Sequence, residues 1–267
     1  MEKIKINMIG GGFQHVECSS HGHMPEHVIW MKDNSAPISI HIDNAIMSPI
    51  DSNKKNYAWV TESKTIIGGI YQWCENNVEY IENNFELLFT HDIELVKLSE
   101  KFKLVICSAK HWIQDIGIHN KTKLISMIAT NKVMCPDHEY RQKIVNKYRD
   151  NVDLFGRGFN VIANKEEGLN DYYFSIVMEN GTYPLMYSEK ITDCFASGTI
   201  PIYYGTNMIG DVFNSDGIIT LDDSFNIDDL TPELYNSKMV AIIENYDIAT
   251  KMPVAEDYIY KNFIENY

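Results

Sequence analysis

The feature that most constrains this chain is its rhythm: short β-branched or apolar runs alternate with longer stretches whose apolar residues recur at helical spacing. A run that is apolar on both sides has to be covered on both faces, and helices in the intervening segments supply that cover. The pattern therefore predicts α/β architecture with parallel sheets. Strands are expected at 3–9, 37–42, 57–61, 86–90, 103–107 and 123–129, then at 151–155, 174–178, 199–204 and 217–221. Helices are expected at 70–83, 92–101, 137–149, 187–197, 231–246 and 254–265. A single sheet of about ten strands would be large for 267 residues. Two α/β domains, 1–130 and 131–267, account for the strands better, although no Pro/Gly linker marks the seam near 127–140.

Charge narrows the partners. The net charge of −14 repels phosphate backbones and anionic membranes, and no dense Lys/Arg run offsets it, so nucleic acid is disfavoured. The opening MEKIKINMIGGG has neither the length of a membrane span nor the form of a secretory signal, and a cytoplasmic protein is expected. Cys18, Cys74, Cys107, Cys135 and Cys194 form no CxxC pair and read as reduced, buried small hydrophobes.

The chemistry concentrates in ENGTYPLMYSEKITDCFASGTIPIYYG, residues 179–205. Pro184 delays helix, which then starts near Tyr187 and carries Glu189 and Lys190 in its first turn. Helix N-termini present unpaired N–H groups and partial positive charge, a seat for phosphate oxygens that Lys190 would strengthen. A carboxylate such as Glu189 cannot bind phosphate, but it accepts two hydroxyl hydrogen bonds, as in the capture of a ribose diol. The pair reads either as a nucleotide-diphosphate clamp or as a solvated first turn favoured by the helix dipole.

The segment resembles the donor-binding motif of the α-1,3-fucosyltransferases, glycosyltransferase family 10, in its Glu-Asn, its loop with Pro, its Glu-Lys and its Pro-containing strand ending in Gly. Glu179, Pro184, Glu189, Lys190, Pro201 and Gly205 carry the likeness, and YRQKIVNKYRDNVDLFGRG at 140–158 adds the family's Arg-bearing helix and Val-Asp-x-Phe-Gly. It covers about 125–225. It implies a GT-B fold, two Rossmann-like domains facing across a cleft, with the nucleotide sugar held by the C-terminal domain and the acceptor by the N-terminal one. Carried over, Arg141 and Lys190 face the donor pyrophosphate and Glu189 holds the ribose or sugar hydroxyls. Glu179, Asn180, Tyr187 and Ser188 complete the donor-binding set. Where the family has a Tyr three places before the Glu of Glu-Lys, this chain has Met186.

An inverting fucosyltransferase-like enzyme is thus expected, moving a sugar from a nucleotide-diphosphate donor, GDP-fucose first, to a glycan hydroxyl. Such a reaction needs a base on the acceptor. Glu62 in YAWVTESKTI is the first choice, with Asp43 and Asp92 in reserve. Fixed cations and N–H dipoles can stabilise the departing diphosphate, no DxD is present, and neither metal nor other cofactor is called for. A transferase acting on modified DNA bases, a degenerate nucleotide-sugar-binding protein and, more remotely, a dinucleotide oxidoreductase are the alternatives. For the oxidoreductase, GGGFQH at 10–15 lacks the full GxGxxG register and reads as a tight turn. His15, His21, His23 and His27 form a histidine-rich loop, read as solvated or acceptor-side rather than as a zinc site. Tyr71, Trp73, Trp112 and Phe159 could stack on a sugar, but core packing is the stronger reading.

Overall fold

A computed structural model describes residues 2–11, 18–106 and 110–265. The chain divides into two compact units. The first takes in 1–109, 184–186 and 253–267, and the second 110–183 and 187–252.

In the first unit the strands are β1 (Ile4–Ile9), β2 (Val28–Met31), β3 (Ile38–Ile42), β4 (Lys55–Val60), β5 (Leu88–Thr90) and β6 (Phe102–Leu104). They form one all-parallel sheet in the order β2-β1-β3-β4-β5-β6. Between them run α1 (Lys64–Asn76), α2 (Val78–Asn84) and α3 (Ile93–Val96). Every residue of β3 is buried, as a strand covered on both faces requires. Asn7, a polar residue caught in this core, is paired: it donates to the Ala36 carbonyl at 2.8 Å and accepts from the Ala36 N–H at 2.9 Å.

The second unit holds β7 (Lys123–Ile128), β8 (Asp153–Phe155), β9 (Tyr172–Met178), β10 (Ile200–Tyr204) and β11 (Ile219–Thr220), again all parallel, in the order β11-β10-β9-β7-β8. Its helices are α4 (Pro136–Tyr148), α5 (Glu189–Ala196), α6 (Pro232–Ser237) and α7 (Met239–Lys251). Ile125, Met127, Phe174, Ile176, Ile200 and Ile202 pack with Ile144, Val145 and Ile242 in its core. The chain then returns to the first unit as α8 (Ala255–Ile259), followed by a π-helical turn at Tyr260–Ile264.

Two parallel-sheet α/β units are therefore present, but the division expected at 130/131 lies elsewhere. β7 pairs with β8 and β9 and so belongs to the second sheet, while α8 belongs to the first unit. The apolar run KLISMI would suit either sheet, and only its pairing assigns it.

Candidate functional site

In the second sheet β7 lies between β8 and β9, so the chain leaving β7 turns one way to β8 and then recrosses to β9. Loops diverge at the carboxyl ends of such neighbouring strands and open a crevice there. A cavity open to solvent occupies this place, lined by residues 127–130 at the end of β7 and just beyond it, Gly156 after β8, 175–178 of β9, and Arg141, Lys165, Glu189, Lys190 and Asp193. Gly156 is required by the close approach of backbone: its φ is +110, and a Cβ there would lie 2.0 Å from the Ala129 carbonyl oxygen.

Arg141 projects from α4, a helix begun by Pro136 at its first position. Its guanidinium is buried, Nη2 donates to the Lys132 carbonyl at 2.9 Å, and the buried Nε has no hydrogen-bond partner. Among the described residues no carboxylate pairs with it; the ion pairs of the cavity belong to Lys165 and Lys190. Burial lowers its pKa from 12.5, yet an Arg this basic keeps its charge. A buried cation without a counter-charge is costly, and a visiting anion would relieve that cost.

Lys190 follows Glu189 at the start of α5. Ser188 caps this helix, its side-chain oxygen accepting from the Lys190 N–H. Behind the cap, buried Glu179 accepts from the Ser188 N–H at 2.9 Å, the Ser188 hydroxyl at 2.7 Å and the Lys190 ammonium at 3.1 Å. Glu179 and Ser188 thus hold the loop and Lys190 in place rather than lining the cavity. Asn180 accepts from His138 Nε2 at 2.9 Å, while His138 Nδ1 accepts from the Met134 N–H at 3.1 Å. Those two bonds fix the neutral Nε2–H tautomer, and burial holds the imidazole below its ordinary pKa. Tyr187 does not line the cavity; its buried ring packs edge-on against Phe213 at 5.6 Å.

Two cavity residues escaped the sequence reading. Lys165 opens the short 3₁₀ turn Lys165–Gly168, with its ammonium 3.2 Å from Glu189 Oε1, 2.6 Å from Asp193 Oδ2 and 4.6 Å from the Trp112 ring centroid. Burial opposes its charge, but the two carboxylates outweigh burial and raise its pKa. Burial likewise pushes at the Glu189 carboxyl, yet Lys165 and Lys190 hold it below the usual range, whereas burial keeps Asp193 above it. The available signal was Glu189 and Asp193 four residues apart on one helix face.

In the first unit Asp43, Glu62 and Asp92 follow the ends of β3, β4 and β5. Asp43 pins the loop after β4, accepting from the Thr61 N–H at 2.7 Å and the Thr61 hydroxyl at 2.8 Å, and burial raises its pKa. Asp92 caps α3 through the Glu94 and Leu95 N–H groups. Glu62 accepts from the Ser63 N–H at 2.8 Å, is half-buried, and its backbone carbonyl receives the Tyr71 hydroxyl at 2.7 Å. Tyr71 is fully buried, Trp73 packs edge-on against Tyr80, and Phe159 packs against the second core, so these aromatics serve packing. His15 and Cys107 lie outside the described residues; Cys18, Cys74, Cys135 and Cys194 are buried. Among the described residues no helix is long and apolar enough to cross a membrane, and no group of three His, Cys, Asp or Glu could hold a metal ion.

No family model matches the chain. An alpha-(1,3)-fucosyltransferase of Helicobacter pylori is 32% identical over 108 residues, which is 39% of this chain and 22% of that protein's length. Among solved structures, a crystal structure of an alpha1,3-fucosyltransferase matches with TM-score 0.52 and 15% identity over 99% of this chain and 90% of that one. A crystal structure of an alpha1,3-fucosyltransferase with GDP-fucose matches with TM-score 0.50 and 14% identity over 94% and 82%. The fold is of the GT-B type, two parallel-sheet α/β units, and the likeness implied by the motif at 179–205 extends to both comparisons.

Proposed function

We propose that this chain is an inverting glycosyltransferase of the fucosyltransferase type, taking a sugar from a nucleoside-diphosphate donor, GDP-fucose by preference, and passing it to a hydroxyl of a glycan acceptor. The observation that carries this reading is Arg141, a buried guanidinium with no carboxylate partner among the described residues, in the same cavity as Glu189 and Lys190. Its planar fork suits a pyrophosphate in two-point fashion. Lys190 and the N–H groups at the start of α5 add positive potential where the leaving diphosphate gains charge. Glu189 takes hydroxyls of the ribose or the sugar. The partial match to a fucosyltransferase favours GDP-fucose among donors, and the reading extends to the first unit the task of holding the acceptor.

In this mechanism Glu62 removes the proton from the acceptor hydroxyl as that oxygen attacks the anomeric carbon from the face opposite the diphosphate. Asp43 and Asp92 are committed to loop and helix N–H groups, which leaves Glu62 the better base. Calorimetry with GDP and GDP-fucose tests the donor half. Arg141→Ala and Lys190→Ala should each weaken GDP binding about ten- to hundredfold, the scale of a lost charged hydrogen bond. Unchanged affinity in both variants would sink the proposed cradle. GDP release in the presence of candidate glycans tests the other half: Glu62→Gln should bind GDP-fucose like the wild type and turn it over at least about a hundredfold more slowly. Binding without turnover by the wild type, whatever the acceptor, would instead support a degenerate nucleotide-sugar-binding protein.

A further inference from the structure

Glu189 and Asp193 stand four residues apart on α5, Asp193 buried and Glu189 half-buried, and both line the cavity. Two carboxylates so placed repel one another, and left alone one of them takes up a proton. Asp193 is tied on every side: Oδ1 accepts from the Trp112 and Ile113 N–H groups, the latter at 3.2 Å, and Oδ2 accepts from Lys165. It is an anchor, with both oxygens engaged by the protein. Glu189 differs. Its Oε1 accepts from Lys165 at 3.2 Å, and Oε2 takes no hydrogen bond among the described residues. The Lys165 ammonium, gripped by both carboxylates and lying over the Trp112 ring, has little freedom of its own.

We propose that Lys165 is a positioning residue of the donor site: by bridging Asp193 to Glu189 it keeps Glu189 ionised and turned so that Oε2 meets a hydroxyl of the nucleotide sugar. This role rests on the donor-binding reading of the cavity given above. The other charged or titratable groups facing the trio are Lys190 at the start of α5, Glu179 behind it, Arg141 and Cys194 in the cavity wall, and Glu166, whose carboxylate is turned to the Gln114 N–H. Without Lys165 the trio keeps both carboxylates and loses the cation between them. The two carboxylates then share one proton between them, so Glu189 is ionised for only part of the time. A protonated Glu189 offers a poorer acceptor pair to a diol.

Calorimetry with GDP-fucose on Lys165→Met and Lys165→Arg, from about pH 5.5 to about pH 8.5, reads this directly. The Met variant should bind about tenfold more weakly than wild type near pH 6 and recover as pH rises and Glu189 loses its proton, while the Arg variant stays within about threefold throughout. A second readout needs no ligand: the gap in unfolding temperature between wild type and Lys165→Met should widen as pH rises, because folding then retains two unbalanced carboxylates. A gap independent of pH, or a Met variant that binds GDP-fucose as wild type does at every pH, overturns the role while leaving the proposed function intact. Failure of the wild-type protein to bind any nucleotide sugar overturns both together.

Discussion

Burial holds the His91 imidazole down to about 4 from an ordinary 6.5. Its Nε2 lies 3.2 Å from the Tyr71 hydroxyl, whose single proton goes to the Glu62 carbonyl, so His91 is the donor in that bond. It is burial that makes the folded protein favour the neutral ring. The unfolded chain takes up a proton below about pH 6.5, so this contribution is complete at neutral pH, declines as pH falls through that value and is gone by about pH 4. The difference amounts to roughly 3 kcal/mol, at 1.36 kcal/mol per unit. Replacing His91 by Gln should flatten the loss of stability between about pH 6.5 and 4 in denaturant titrations; an unaltered slope would show that His91 does not govern it. Residue by residue, Arg141, Glu189 and Lys190 were legible because a motif fixes their spacing, and the structure brings all three to one cavity. Lys165 was not, since in NKEEG it looks like any solvated cation and its partners lie 24 and 28 positions away. Tyr187 looked like a donor contact and went to the core, because helical spacing does not tell which side of a first turn faces a ligand.

Among the elements, α8 shows most clearly what a short helix can do. Glu256 accepts from the Ser19 N–H and the Ser19 hydroxyl, each at 2.6 Å, and from the Trp30 indole at 3.1 Å, while Asp257 accepts from the Glu26 and His27 N–H groups. Ala255, Ile259 and Ile264 join Ile6, Ile40 and Trp59 in the core of the first sheet. Removing the Glu256 carboxylate takes away the acceptor of three hydrogen bonds. Glu256→Ala should therefore cost about 3 kcal/mol or more in unfolding free energy, with Glu256→Gln less harmful; a loss below about 1 kcal/mol would mean the contacts are dispensable. The helix itself was legible from its apolar spacing, but nothing in 254–265 says which sheet it covers. The strand β2 was missed for a related reason: it is a four-residue edge strand with Val28 alone buried, so it carries no alternation to read. Expected helices at 70–83 and 231–246 each proved to be two, broken where Asn77 and Lys238 leave helical geometry. Neither break is marked by Pro or Gly.

At the scale of the whole molecule, alternation of strand and helix sufficed to predict two parallel-sheet units, because burial on both faces leaves few other solutions. It could not locate the division, which is set by pairing partners far apart in the chain: β7 against β9, and α8 against residues 19–30. The return of the last described helix to the first sheet also bears on how the protein is made. A ribosome releases the whole of the second unit, through α7, before 253–265 emerges. Until then the half translated earlier lacks its closing strap, so a nascent chain carries that apolar face uncovered while all of the second unit is being made.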